Sequence, residues 1–265
     1  MSDVATAPRV GPLLREWRRR RRLSQLDLAL DAGVSARHLS FVETGRSRPS
    51  PDMVLILADQ LQVPLRDRNQ LLVAAGYAPS YPERGLDDPE LAPVREAVQR
   101  VLDGHEPYPA MVIDRGWNRV AGNRSIPLLG AVAPELMGPP LNVIRVSLHP
   151  RGVAPRILNL GEWRAHLLDR LKREVLLTGD AGLEALYKEV SAYPGGEPHQ
   201  GPVNGVAVPL RVRTEIGDLS FYSTVATFGT AVDVTVAELS LESFFPADAR
   251  TREAVQAYAA SGSGD

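Results

Sequence analysis

The chain has no cysteine, and that absence removes several chemistries together. Disulfides, thiolate zinc sites and cysteine nucleophiles are excluded, leaving His, Asp and Glu as candidate metal ligands. Lysine is almost missing as well: Lys172 and Lys188 are its two occurrences, so arginine carries nearly all the positive charge. No apolar run approaches the ~20 residues that span a bilayer, and residues 1–12 lack the apolar centre of a secretory signal. The expectation is a cytoplasmic chain without membrane partners. Common catalytic signatures are also lacking: there is no Gly-x-Ser-x-Gly elbow, no glycine loop ahead of a lysine and no His-Glu-x-x-His. Neither a catalytic residue nor an enzyme is expected.

What is present fits a folded protein with a seam. The 265 residues are 44% hydrophobic and 23% charged, enough apolar material for a core and enough length for two modest domains. The net charge of −2 conceals an asymmetry. Residues 1–50 carry 10 Arg against 5 acids, so the remaining 20 Lys and Arg face 27 acids. A basic end joined to an acidic remainder is the layout expected when one module touches a polyanion.

The basic end reads as five short helices. Leu13, Leu14 and Trp17 form the apolar side of the first, opposite the run Arg18 to Arg22. Ser24 caps a second, with Asp27 three residues on, which runs to about Ala32 before Gly33 breaks it. Ser35 caps a third, in which Leu39 and Val42 point inward and which ends near Gly45. In Ser50-Pro51-Asp52 the cap, the first-turn proline and the early acid all favour a helix start, followed by Met53, Val54, Leu57, Ala58 and Leu61 on one face. Leu65 to Ala75 completes the bundle.

Residues 76–93 hold four prolines and two glycines and read as a linker. A helix from Glu90 to about Asp103, with Leu91, Val94, Val98 and Val101 inward, opens the second domain. Two strands follow, Ala110 to Asp114 and Trp117 to Ala121, about Arg115-Gly116, then a short helix capped by Asn123. Helices are expected from Gly161 to Leu177 and Gly182 to Ala192. The last third alternates as strands do: Val206, Val208, Leu210 and Val212, then Ile216 to Phe228 across a hairpin at Thr214-Glu215, then Val232 to Leu241. A terminal helix near Ala247 to Ala260 precedes a polar tail.

The segment SQLDLALDAGVSARHLSFVETGRSRPS, Ser24 to Ser50, resembles the helix-turn-helix of the lambda-repressor-like, Xre-type bacterial regulators. Its residues meet that motif's mechanical needs: small Ala29 where helices cross, Gly33 in the turn, Val34 behind it, and a following helix with polar residues outward. Residues 10–85 as a whole, with HLSFVETGRSRPS, VPLRDRNQLLVAAGYAP and the later LDD, resemble the MmyB-like branch of that class. MVIDRGWNRVAGN, GEWRAHLLDRLKREVLLTGD and LSLESFFPADART extend the resemblance in order and spacing. The departure is Val190 to Gly201, where SAYPGGEPHQG replaces an aromatic, Trp- and His-bearing segment.

The resemblance implies an all-α N-terminal five-helix lambda-repressor-like domain followed by an α+β PAS-like domain with an antiparallel sheet. The expected boundaries are 1–78 for the helix-turn-helix domain, 79–93 for the linker, 94–260 for the PAS-like ligand-binding and dimerisation domain, and 261–265 for a disordered tail. It implies a homodimeric, nucleoid-associated transcription regulator with two partners, a double-stranded DNA operator and a small apolar, fatty-acid-like effector, and no cofactor. The alternative is an antitoxin-like or scaffolding DNA-binding protein whose second domain binds a protein partner.

By the same resemblance Gln25 hydrogen-bonds a phosphate, while Ala36, Arg37, Ser40 and Phe41 face base edges. Arg37 is the strongest reader, because a guanidinium bridging guanine O6 and N7 gives about 1–3 kcal/mol of discrimination. Phe41 has two roles open to it, touching a thymine methyl or packing on a neighbour. Ser35 and His38 flank that row, His38 as a solvated or phosphate-side group, and Arg46 and Arg48 touch backbone or stand in a solvated loop. Glu43 is expected as an ion-pair or cap partner. In the second domain Trp117, Asn118, Leu219, Phe221 and Phe228 are the candidate ligand residues; the large apolar groups either close a core or line a pocket, and Asn118 and Arg119 either hold a ligand carboxylate or cap a strand. Glu162, His166 and Asp169 share one helix face, which reads as a solvated Glu–His pair, so no metal site is expected. His105, His149 and His199 fall in loops.

Overall fold

A computed structural model describes residues 9–130, 132–195 and 207–262. They form two compact units, one built on residues 1–84 with 176–178 and 230–237, the other on 85–175, 179–229 and 238–265.

The first unit is the expected five-helix bundle: α1 (Val10–Arg20), α2 (Gln25–Asp31), α3 (Ala36–Glu43), α4 (Pro51–Gln60) and α5 (Leu65–Ala74). Local chemistry sets most of these ends. The Ser24 and Asp27 side chains and backbone amides satisfy one another as a capping box, and the Ser35 and Ser50 hydroxyls accept from the amides of His38 and Met53. Gly33 ends α2 at φ +67°, a left-handed conformation open to glycine at little cost. Leu14, Trp17, Leu28, Leu39, Val42 and Leu57 are among the residues that fill the core.

The second unit is α+β, as expected. Its sheet has the order β2-β1-β5-β4-β3, every neighbour antiparallel. The strands are β1 (Ala110–Ile113), β2 (Arg119–Gly122), β3 (Leu210–Thr214), β4 (Gly217–Thr227) and β5 (Ser240–Pro246). The helices are α6 (Ala92–Gly104), α7 (Val143–Leu148), α8 (Leu160–Thr178), α9 (Ala181–Ser191) and, after the four-residue α10 (Val234–Ala237) of the first unit, α11 (Ala249–Gly262). Trp163, Leu167 and Leu171 recur every four residues along α8 and pack with Phe221, Phe244, Leu210 and Val212 of the sheet. On the other sheet face Leu102 of α6 joins Ala110, Val112 and Leu239.

Several expectations need correction. In α6 it is Leu102 that is fully buried, while Val101 is exposed; Leu102 lies on the stripe that meets Ala110 and Val112. Asn123 caps no helix, and the 3-10 turn Ile126–Leu129 starts after Ser125. The Asn123 side chain instead accepts from the Ala110 amide at 3.0 Å and donates to the Tyr108 carbonyl at 2.7 Å. The strand expected over Val232 to Leu241 begins only at Ser240, because Asp233 accepts from the Thr235 and Val236 amides and turns the chain into α10. β3 begins at Leu210, not earlier: Val208 and Pro209 lie outside it, and the Pro209 carbonyl accepts from the Asn159 side chain. α11 continues to Gly262, into the stretch expected as a tail. Val206, His199, residues 196–201 of the departing segment, and 263–265 of the tail lie outside the described residues.

Candidate nucleic-acid interface and ligand cavity

The third helix is held from behind by charge. Arg18 on α1 donates from Nε to Glu43 Oε1 at 2.6 Å and from an η nitrogen to Oε2 at 2.9 Å, a bidentate pair between side chains only 11% and 1% exposed. Arg18 also donates to the Leu23 carbonyl at 2.9 Å, and Gln25 Nε2 to Glu43 Oε2 at 2.7 Å. Burial pushes the Glu43 carboxyl up, but hydrogen bonds from Arg18 and Gln25 and the Arg18 charge outweigh it and hold the group below the usual carboxylate range. Glu43 is therefore the ion-pair partner expected of it. Arg18, expected on the face opposite Leu13, Leu14 and Trp17, is buried instead.

On the outer side of α3, Ser35 and Arg37 are exposed, and Ala36, His38, Ser40 and Phe41 are half-buried. Phe41 lies between two guanidinium groups, Arg37 at 5.4 Å from its ring centroid and Arg46 at 6.0 Å. The Arg46 amide donates to the Phe41 carbonyl at 2.8 Å, which folds the trailing loop back onto the helix end. The structure thus brings Arg37, Phe41 and Arg46 together as one row.

Two residues expected to grip backbone are otherwise engaged. Gln25 points its amide at Glu43, as above. Arg48 donates from Nε to the Ala75 carbonyl at 3.0 Å and from an η nitrogen to the Gly76 carbonyl at 3.2 Å, with Tyr77 stacked 4.8 Å away. It closes the C-terminal end of α5, whose last carbonyls need donors.

The second unit contains a cavity of about 280 Å³ between the sheet and the layer formed by α7, α8 and the 126–141 connection. Its wall is mainly apolar, with Met111, Leu129, Val143, Trp163, Leu167 and Phe244, and the polar groups come from Arg119, Ser147 and Glu242. Of the expected ligand residues only Trp117 reaches it. Leu219 and Phe221 are sealed in the core, and Phe228 is exposed at the end of β4. Asn118 is taken up by Asp114 and Asn142. Arg119, left open between a ligand and a cap, is the neighbour that lines the cavity.

Trp117 is held firmly. Its backbone adopts φ +63°, costly for a bulky residue, in the turn between β1 and β2. Its indole donates to Glu174 Oε2 at 2.7 Å and its ring stacks beneath the Arg170 guanidinium at 4.4 Å. Arg170 also reaches Glu242 at 3.4 Å. Burial pushes the carboxyls of Glu242 and Glu174 up, and Arg170 opposes that shift at both. His166, on the same helix, is shifted down by burial and by the Arg170 and Arg173 charges. Its ring stacks at 5.3 Å on Trp163, and the described residues contain no cluster of metal-ligating groups. No helix among them is long and apolar enough to cross a membrane.

Residues 14–67 match the family described as Helix-turn-helix, and residues 94–257 match the MmyB-like transcription regulator ligand binding domain. The second match alone spans more than half of the chain. The chain belongs to the MmyB-like transcription regulators. A curated relative, the uncharacterized HTH-type transcriptional regulator RghRB of Bacillus subtilis (strain 168), is 34% identical over 103 residues. That stretch is 38% of this chain and 66% of RghRB, just short of two thirds of the relative's length. A solved RNA-binding light-oxygen-voltage receptor aligns over 95% of this chain and 66% of its own at 14% identity. Its TM-score of 0.23 is too low to bear on the fold.

Proposed function

We propose that this MmyB-like regulator binds a double-stranded DNA operator as a homodimer through α3 and that its second unit takes up a small, apolar, fatty-acid-like effector that alters operator affinity. The observation that carries the reading is the row Arg37–Phe41–Arg46, an exposed cationic face on a helix whose other side is locked by a buried ion pair. Arg37 reads base edges in the major groove; Arg46 meets phosphate; Phe41 aligns both guanidinium groups and presents its edge to a thymine methyl. Ser35, Ala36, His38 and Ser40 complete the surface that faces the duplex. Gln25 and Arg48 act from within, by holding α3 and α5.

The cavity supports the effector half. Its volume of about 280 Å³ sits at the lower edge of the roughly 300–1,000 Å³ usual for small-molecule pockets, so the effector is compact. The wall favours an apolar body, and the polar groups of Arg119, Ser147 and Glu242 suit a single polar end. An effector that binds one dimer geometry better than another shifts operator affinity by that difference, and coupling of about 1–3 kcal/mol makes a useful switch.

The test begins with selection of a preferred site from random DNA, followed by anisotropy titrations over a salt series. Arg37→Ala should lose affinity for the selected site and little for random duplex. Arg46→Ala should weaken both alike and make the salt slope shallower by about one. Equal losses on both DNAs for Arg37→Ala refute its role as reader. Native mass spectrometry of the purified chain tests the effector: a bound small-molecule mass that disappears when the cavity is filled supports it, while an empty chain that holds a protein partner supports a scaffolding role.

A further inference from the structure

Resting on the reading of the cavity as an effector site, we infer that Glu242 keeps its proton at neutral pH and donates it in a hydrogen bond to a carboxylate at the effector's polar end, so that the effector is held less tightly as pH rises. A glutamate in a cavity wall ordinarily selects a cation. The surroundings of this one select the reverse.

Glu242 lies on β5, its side chain 3% exposed, and lines the cavity. Its partners across the sheet, Met111 of β1 and Val225 of β4, carry no charge, and the Ser223 hydroxyl of β4 bonds its side chain. From the helical layer, α8 sets Arg170 against it, while Ser147 of α7 and Arg119 of β2 stand elsewhere in the same wall. The cation that acts on Glu242 is Arg170. That guanidinium is shared. It stands 3.6 Å from a Glu174 oxygen and 3.4 Å from a Glu242 oxygen, both longer than the roughly 2.7–2.9 Å of a charge-assisted bond to carboxylate. Two carboxylates about one guanidinium leave a net negative charge, which is costly where one of them is sealed from water, so the trio is stabilised by a single proton.

The partners decide where that proton sits. Glu174 accepts from the Trp117 indole at 2.7 Å, is drawn by the Arg173 charge, and has a side chain 35% exposed, three conditions that favour its ionised form. Glu242 has the Ser223 hydroxyl and almost no water, and burial pushes its carboxyl up. The proton therefore rests on Glu242. A protonated carboxyl presents an O–H to the cavity, which gives an ammonium head no counter-charge but gives a carboxylate a short charge-assisted bond. Ser147 supplies a second donor and Arg119 a positive charge in the same wall. Ionisation of Glu242 removes the donor and sets two negative charges together, so affinity falls by up to about tenfold for each pH unit above that point.

The probes are n-octanoate, n-octanol and n-octylammonium, which share one apolar body and differ in the head. Each is titrated calorimetrically, at pH 6 and pH 9, into the full chain freed of co-purified small molecules. An alkyl carboxylate is ionised throughout this range, so a change in its binding reports the protein. Octanoate should bind at least about tenfold more tightly than octylammonium at pH 6 and lose at least about tenfold in affinity by pH 9, while octanol stays level. Glu242→Gln keeps an N–H donor in the same shape and cannot ionise; it should melt with the unmodified chain and bind octanoate equally at both pH values. Octylammonium as the tighter ligand, octanoate affinity level across the range, or a fall that persists in Glu242→Gln overturns the inference and leaves the cavity reading standing. Binding of none of the three overturns both.

Discussion

Replacing Glu43 with alanine tests whether the reading helix is held by a buried charge pair. The substitution removes both hydrogen bonds that Arg18 donates to Glu43 and the one that Gln25 donates, and leaves Arg18 with the Leu23 carbonyl as acceptor. Breaking one side of a buried pair costs about 3–5 kcal/mol, because the surviving charge is left without compensation. A unit of this size has a total stability of about 4–11 kcal/mol at the usual value per residue. Glu43→Ala should therefore bring the bundle close to unfolding at 37 °C, with a midpoint lower by at least about 12 °C. Urea melts followed by circular dichroism read this directly. The double variant Arg18→Met with Glu43→Leu should recover most of the loss, since apolar groups of similar volume replace buried pairs at little or no cost. A loss below about 1 kcal/mol for Glu43→Ala, the scale of exposed ion pairs, would refute the argument. The pair also sets an acid limit. Because the folded carboxyl is held below its ordinary value, its contribution is complete above the unfolded carboxylate range near pH 4.3 and is lost as pH falls through the lower folded value. Glu43→Gln should flatten that part of the stability curve.

Further expectations follow from the cavity and the turn. Leu167→Trp places a larger ring into the cavity wall; it should eliminate any co-purifying small-molecule mass while leaving DNA binding in the absence of effector unchanged, and retention of that mass places the ligand elsewhere. Gly33→Ala introduces a Cβ that meets nothing within 4 Å, so its cost is confined to the left-handed backbone, about 1–2 kcal/mol in a urea melt. A cost above about 3 kcal/mol would point to crowding that the open space around Gly33 does not contain.

The parts of the fold written in short-range chemistry were legible in the sequence. Ser24, Ser35 and Ser50 each bond an amide three residues away, so the residue types near each cap suffice to find the helix start. The Arg18–Glu43 pair spans 25 residues, and nothing adjacent to Arg18 distinguishes it from Arg19 or Arg22. Alternation in β4 correctly marked Leu219 and Phe221 as inward. It does not say whether the inward face meets a helix or a space, and for these two it meets the core. The cavity wall draws on β1, the 126–141 connection, α7, α8, β3 and β5, and that convergence is a property of tertiary packing. At Asp233 a local cap overrode a β-prone run, and at Leu102 the choice between two adjacent apolar residues was made by the sheet beneath.

Arg48 has a consequence for how the bundle transmits force. The chain leaves α5 through Ala75, Gly76 and Tyr77, and all three are held by one side chain from the loop that trails α3, with the Tyr77 hydroxyl donating in addition to the Pro49 carbonyl. A tug on the departing polypeptide meets Asn69 first, which bonds the Ser80 and Tyr81 backbone, and that guanidinium next. The anchorage lies two positions from Arg46, so tension applied at the exit has a polar route to the cationic row beside the apolar one through Ala75 and Tyr77.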